Sequence, residues 1–238
     1  MSINVPAPTR AQARAQLSGI LRPSRHPVAV LVTAAVAIVA ITVVGFLLRS
    51  HTIDLALSET LNKAHTGFVG GVANVVYTVF GPLPAIILTA LATAIIWAVS
   101  RQLKVGLAFA GVVAATWIPS DLVKLLVHRP RPDVHLMSHP FSPVQVDPSF
   151  PSGHTVFITA FVIALVYVLR DTRWVWVAAI AGGVLVVGVG LCLAIDAVHY
   201  PTDVVASILW SLAVAPAARL IWVDWLMPLI PGLRPSRR

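Results

Sequence analysis

Three short polar stretches interrupt an otherwise apolar chain, and their residue types suit chemistry on a phosphate. The first runs from Lys124 to His128-Arg129-Pro130-Arg131-Pro132, the second is Pro151-Ser152-Gly153-His154, and the third is His199-Tyr200-Pro201-Thr202-Asp203. Lys124 and Arg131 supply fixed positive charge; arginine offers a planar fork that matches phosphate oxygens, and lysine a point charge. Pro130 and Pro132 stiffen the chain beside Arg131. Ser152-Gly153-His154 falls at a predicted helix start, where free N–H groups and the helix dipole favour an anion. Gly153 lets the backbone approach a ligand closely. His199 and Asp203 share one face if a helix begins there. Such a carboxylate can hold an imidazole in one tautomer and stabilise its cation.

Two histidines beside a basic cradle suit phosphoryl transfer. One imidazole can attack phosphorus in line, giving a phospho-histidine that water cleaves, while the other protonates the departing alkoxide. The cradle neutralises charge on the equatorial oxygens, and this logic calls for no metal and no cofactor. Plainer readings exist for each residue alone. Lys124 and Arg131 can snorkel as helix-end anchors, the two histidines can be interfacial polar residues, and Asp203 can simply favour a helix N-terminus. The three stretches together outweigh these readings, because ionisable groups near membrane depth are functional suspects. His135 and His139 lie in a proline-rich loop with no helix to align them, so they are not read as a metal site. The loop 128–151 is expected to form a lid or substrate collar.

The elements that must position these residues follow from composition. Of 238 residues 58% are hydrophobic and 11% charged, against about 25% charged in soluble domains. That excludes disorder and an ordinary soluble globule. The net charge of +8 is not clustered with interleaved aromatics, so no nucleic-acid partner is expected. Cys192 stands alone and gives neither an intrachain disulfide nor a multi-cysteine metal site. Apolar runs at 28–48, 82–99, 105–127, 155–169 (extended back to His154), 174–195 and 204–223 are each near the roughly 20 residues needed to cross a bilayer. The expected fold is all-α: a polytopic membrane protein with six transmembrane helices in one bundle. It divides into a basic tail 1–27, a membrane domain 28–225 and a basic tail 226–238, with short interfacial helices in the mixed segment 49–81. The first run could belong to a signal peptide, but it is too long for one and no small-residue cleavage site follows.

With the N-terminus cytoplasmic, the inner pieces hold Arg10, Arg14, Arg22, Arg25, Arg101, Lys104, Arg170, Arg173, Arg219, Arg234, Arg237 and Arg238. Only Arg49, Lys63, Lys124, Arg129 and Arg131 remain outside. The positive-inside rule therefore places both termini in the cytoplasm and all three polar stretches on the outer face. Gly182, Gly183, Gly188 and Gly190 read as close-packing positions. Trp174, Trp176, Trp222 and Trp225 read as interfacial anchors.

The three stretches resemble the type 2 phosphatidic acid phosphatase family, whose pattern is Lys, six residues, Arg-Pro; then Pro-Ser-Gly-His; then Ser-Arg, five residues, His, three residues, Asp. Lys124 to Arg131-Pro132 matches the first motif, Pro151 to His154 the second, and His199 to Asp203 the end of the third. The resemblance implies that His199 is the nucleophile, oriented by Asp203, and His154 the general acid. Lys124, Arg131, Ser152 and Gly153 would bind the phosphate. It further implies a membrane phosphatase acting on a lipid or polyprenyl phosphate or diphosphate, in a bacterial-type plasma membrane. One position departs: the family's Ser-Arg is Cys192-Leu193 here, so a guanidinium is missing. Nearby Asp196 would repel phosphate if it faced the pocket. Arg129 and His128 are the candidate substitutes. The departure motivates a second expectation, a non-catalytic relative that binds or helps transport lipid phosphates.

Overall fold

In hydrocarbon every backbone N–H and C=O needs an internal partner, so long uncharged runs fold as helices. The computed structural model describes residues 16–233, and among these all regular structure is helical. The tail bases Arg10, Arg14, Arg234, Arg237 and Arg238 lie outside the described residues. Eight α-helices follow in order: α1 (Pro27–Ser50), α2 (Leu55–Asn62), α3 (Gly67–Val79), α4 (Pro82–Ser100), α5 (Leu103–Val127), α6 (Gly153–Leu169), α7 (Val175–Ile195) and α8 (Pro201–Arg219). Proline occupies the first turn of α1, α4 and α8, where its missing N–H leaves no bond unmade.

Five helices are long and apolar enough to cross a membrane: α1, α4, α5, α7, and α8 with its continuation to Leu229. The remaining expected span, α6, has 17 residues, about 25 Å at 1.5 Å per residue. It is short because its N-terminus begins at the Pro-Ser-Gly-His turn, where Ser152 caps it by accepting from the Thr155 N–H. The short helices α2 and α3 occupy the mixed segment, as expected.

The bundle has two chemically different ends. At one, Arg219 donates to the carbonyls of Ile20 and Arg22 and pairs with Asp224, while Arg22 pairs with Asp171. Residues from Leu17 onward therefore dock against the bundle, with Ile20 wholly buried, although this stretch was expected as tail. At the other end lie Asp54, Asn62, His65, the loop 128–151 and the loop 196–200.

Between the ends, close packing falls on particular glycines. A Cβ at Gly182 would sit 2.3 Å from Val162 and one at Gly190 2.4 Å from Val204, whereas Gly183 and Gly188 have nothing within 4 Å. Only two of the four expected packing positions thus bring helices together. Trp222 is likewise a packing residue: its Nε1 donates to the Leu107 carbonyl against α5. Trp174, Trp176 and Trp225 are exposed, as membrane-interface anchors require.

Candidate active site

Each polar stretch sits at a helix end, and the fold brings the three ends together. Lys124 lies in the last turn of α5, which His128 terminates in a left-handed conformation (φ 51°). The chain then runs straight into Arg129 and Arg131. Gly153 and His154 open α6. His199 sits in the turn between α7 and α8, and Asp203 lies in the first turn of α8, where its Oδ2 accepts the Tyr200 N–H at 2.9 Å.

Arg131 ties this centre together. Its Nη1 donates to the Val198 carbonyl at 2.5 Å and lies 3.5 Å from His199 Nε2. A guanidinium only donates, so Nε2 is the bare nitrogen of His199 and Nδ1 carries the proton. Nδ1 lies 3.7 Å from Asp203 Oδ2, beyond hydrogen-bond reach. The His154 and His199 rings stand 6.3 Å apart, centroid to centroid. His154 Nε2 meets the Tyr77 carbonyl at 3.1 Å; that oxygen only accepts, so Nε2–H points there and Nδ1 is the position free to gain and release a proton. Complete burial, then the charges of Arg131 and Lys124, hold the His199 imidazole well below its ordinary pKa. It is therefore neutral at neutral pH.

The two cradle cations already share an anion. Asp147, from the collar loop, places Oδ2 2.8 Å from Lys124 Nζ and Oδ1 2.8 Å from Arg131 Nη2. Burial alone would raise its carboxyl; the Lys124 hydrogen bond and the Arg131 charge outweigh that and hold it below the usual carboxylate range. Ser152 is more committed than expected. Its N–H donates to Ser207 Oγ, and its hydroxyl oxygen accepts from Thr155. Only its hydroxyl hydrogen remains for a ligand, beside the first-turn amides of Gly153 and His154.

Of the two suggested substitutes for the missing guanidinium, Arg129 is committed elsewhere. Arg129 is wholly buried and directed away from the cradle, onto Asp203 Oδ1 at 2.6 Å and Asp54 Oδ1 at 2.9 Å. His128 lines a cavity of about 410 Å³ under the collar, bounded by Arg131, Asp147, Phe141, Gln145 and Asp196. Leu193 is wholly buried in the apolar core. Asp196 also lines the collar cavity and pairs with His65 Nε2 at 3.2 Å. Burial pushes its carboxyl up to about 7, against the opposing pull of His65.

Reasoning from sequence missed Asp54, His65, Asn62, Tyr77 and Asp147. Asn62 and His65 bind the main chain of His139, which makes that histidine a loop anchor. Asp54 accepts from both the N–H and hydroxyl of Thr202. Burial would raise its carboxyl, but Thr202 and Arg129 hold it below the usual range. The available signal was scarcity: the chain has only nine acids, and few are spare for a surface. Asp121 ends an apolar groove of about 630 Å³ between α4 and α5. The groove is lined by Ile86, Trp97, Val113 and Trp117, and Trp117 Nε1 lies 3.8 Å from a Cβ built on Gly153.

Comparison with known proteins bears on the fold and the family. The chain is similar over 88% of its length, and 99% of the other chain, to the crystal structure of a transmembrane PAP2 type phosphatidylglycerolphosphate phosphatase from Bacillus subtilis, with TM-score 0.63 and 19% identity. At that identity the likeness speaks for the fold. No curated protein matches the chain in sequence. The PAP2 superfamily model matches residues 103–226, just over half of the chain and all three polar stretches. This all-helical integral membrane protein belongs to the PAP2 superfamily.

Proposed function

We propose that the protein is a phosphatase that hydrolyses a lipid or polyprenyl phosphate, or diphosphate, at the extracytoplasmic face. The observation that carries this is the bare Nε2 of His199, 3.5 Å from a cradle arginine and across from His154. Nε2 attacks phosphorus as the bond to the leaving oxygen breaks, and the imidazolium of His154 gives that oxygen its proton from Nδ1. Neutral His154 then takes a proton from the water that cleaves the phospho-histidine, releasing inorganic phosphate and restoring His199. Lys124, Arg131 and the α6 amides hold the phosphoryl oxygens throughout. The apolar α4–α5 groove, reaching Trp117 beside Gly153, suits the hydrocarbon chain of a substrate approaching from the leaflet. The phosphatidylglycerolphosphate headgroup belongs among the substrates to test, because a protein of the same fold is described as acting on it.

The second reading, a non-catalytic lipid-phosphate binder, is favoured by buried Leu193 where the family has arginine. Phosphate release by purified protein, across phosphatidic acid, phosphatidylglycerolphosphate, and polyprenyl phosphate and diphosphate, separates the two. Release is expected for at least one lipid and its loss in His199→Ala; release that persists in His199→Ala refutes the mechanism. Reporter fusions at residues 101 and 140 test the topology, which fails if both report the same side.

A further inference from the structure

We infer that Arg129 and Asp54 are positioning residues of the phosphoryl-transfer centre, acting on His199 through Asp203. The inference rests on the phosphatase reading above and assigns a task to groups that reading leaves unused. Arg129 is the largest charged side chain in the structure that is wholly buried. Its Nη1 donates to Asp203 Oδ1 at 2.6 Å and to Thr202 Oγ1 at 2.8 Å, and its Nη2 to Asp54 Oδ1 at 2.9 Å. The guanidinium also stacks 3.9 Å over the centroid of the Tyr200 ring. Asp54 completes the clamp, since its Oδ2 accepts the Thr202 N–H at 2.9 Å and hydroxyl at 2.6 Å. Three separate segments are thereby fixed to one another: the α1–α2 connection, the chain after α5, and the first turn of α8.

The consequence falls on one carboxylate. Arg129 takes Oδ1 of Asp203 and the Tyr200 N–H takes Oδ2, so the carboxylate cannot rotate. Its Oδ2 is held toward His199 Nδ1, 3.7 Å away. While His199 is neutral that gap costs little. When Nε2 bonds to phosphorus the ring becomes cationic, and Nδ1–H needs an anionic acceptor already in place. Arg129 and Asp54 hold it there without touching the substrate, because both Nη atoms of the wholly buried Arg129 are committed to Asp203, Thr202 and Asp54. The clamp should therefore govern turnover and not anion binding.

The test uses full-length protein in detergent micelles with Arg129→Gln, Asp54→Asn, the double variant, and Arg129→Lys as a milder change. Substrate turnover and inhibition by inorganic phosphate are measured together. The kcat is expected to fall about tenfold in Asp54→Asn and about a hundredfold in Arg129→Gln, with the double variant no worse than Arg129→Gln. KM and the phosphate inhibition constant should stay within about threefold. Losses that multiply in the double variant, a phosphate inhibition constant that rises in step with the loss of kcat, or unchanged kcat each overturn the inference. A readout independent of turnover is the ¹⁵N-histidine spectrum. In the orthovanadate complex, where vanadium bonds Nε2 and the ring is cationic, the His199 Nδ1–H proton is expected far downfield in the parent protein, hydrogen-bonded to Asp203, and upfield of that in Arg129→Gln and Arg129→Lys. A His199 spectrum that does not change overturns the inference even if no lipid phosphate is hydrolysed, whereas absent hydrolysis with the expected spectra overturns only the phosphatase reading.

Discussion

Asp147 grips Arg131 at two points, accepting from Nη2 with its carboxylate at 2.8 Å and from Nε with its main-chain carbonyl at 2.9 Å. Its other carboxylate oxygen takes Lys124. Two oxygens on one anion bridging these two cations is the arrangement a phosphate would need, so under the proposed function substrate and Asp147 compete for the same donors. Asp147→Asn should therefore lower KM and strengthen inhibition by inorganic phosphate, with kcat unchanged. Hydrogen bonds to charged groups contribute about 1.5–3 kcal/mol, and half-exposed pairs much less; a three- to tenfold change in KM is the expected order. Asp147 is held below the usual carboxylate range, so it stays ionised from mildly acidic to alkaline pH and the effect should not vary with pH there. A rise in KM would instead show that Asp147 organises the cations.

Gly153 permits a test of how close the phosphate comes. Its backbone is not left-handed, and a Cβ there meets only Trp117 Nε1, at an ordinary 3.8 Å. The fold has no need of glycine at this position. Gly153→Ala should keep the parent Tm or raise it slightly, since alanine is the better helix residue by up to about 1 kcal/mol. It should nevertheless lower kcat/KM by about tenfold or more, because the methyl stands where the first-turn amides of α6 would meet phosphate. Gly45→Ala is the control: its Cβ would lie 2.6 Å from the Phe150 ring and should destabilise the protein. Full activity in Gly153→Ala would move the phosphate away from α6.

The contrast between those glycines shows what the sequence could and could not convey. The all-helical membrane fold was readable because hydropathy and proline placement are local; the count of six spans was not, since five helices reach spanning length and α6 is shorter. That His154, His199, Lys124 and Arg131 come together was readable because their three polar stretches interrupt apolar runs at helix ends on one side. The partners of charge were not readable. Arg129 and Arg131 are two residues apart with the same chemistry, yet one is directed onto Asp54 and Asp203 and the other onto Asp147 and His199. Which way each points depends on the turn after His128 and on where α2 and α8 begin, and these are tertiary facts. Gly182 and Gly183 were alike for the same reason: neighbours in sequence, only one faces another helix.

Leu193→Arg would restore the family's third-motif arginine, and a gain in activity would follow if the missing cation alone limited turnover. The structure argues for the opposite outcome. Leu193 is wholly buried among apolar side chains, and a guanidinium there must be desolvated with Asp196 as the nearest acid along the chain, itself paired with His65. A poorly paired buried charge destabilises by about 3–5 kcal/mol. The expected result is a lower Tm and no gain in kcat, measured on the same preparation. A clear rise in phosphate release without loss of Tm would show that the site lacks only that charge.

Asp196 makes stability depend on pH in a direction unusual for an acid. Its pKa of about 7 lies well above the ordinary range of an aspartate carboxyl, so the folded state binds the proton more tightly than the unfolded chain. The penalty is absent below pH 4, grows between pH 4 and 7, and is complete above 7, where stability has fallen. Asn at this position keeps the shape and cannot ionise. Asp196→Asn should accordingly raise Tm most at pH 8, clearly less at pH 5, and little at pH 4. One pKa unit corresponds to about 1.4 kcal/mol, so even a fraction of the shift is readable as a few degrees of Tm. The comparison is made by thermal unfolding in one detergent at the three pH values. If Asp196→Asn loses stability at pH 8 relative to pH 5, the ion pair with His65 outweighs burial and the carboxylate is an anchor of the His65–His139 clamp.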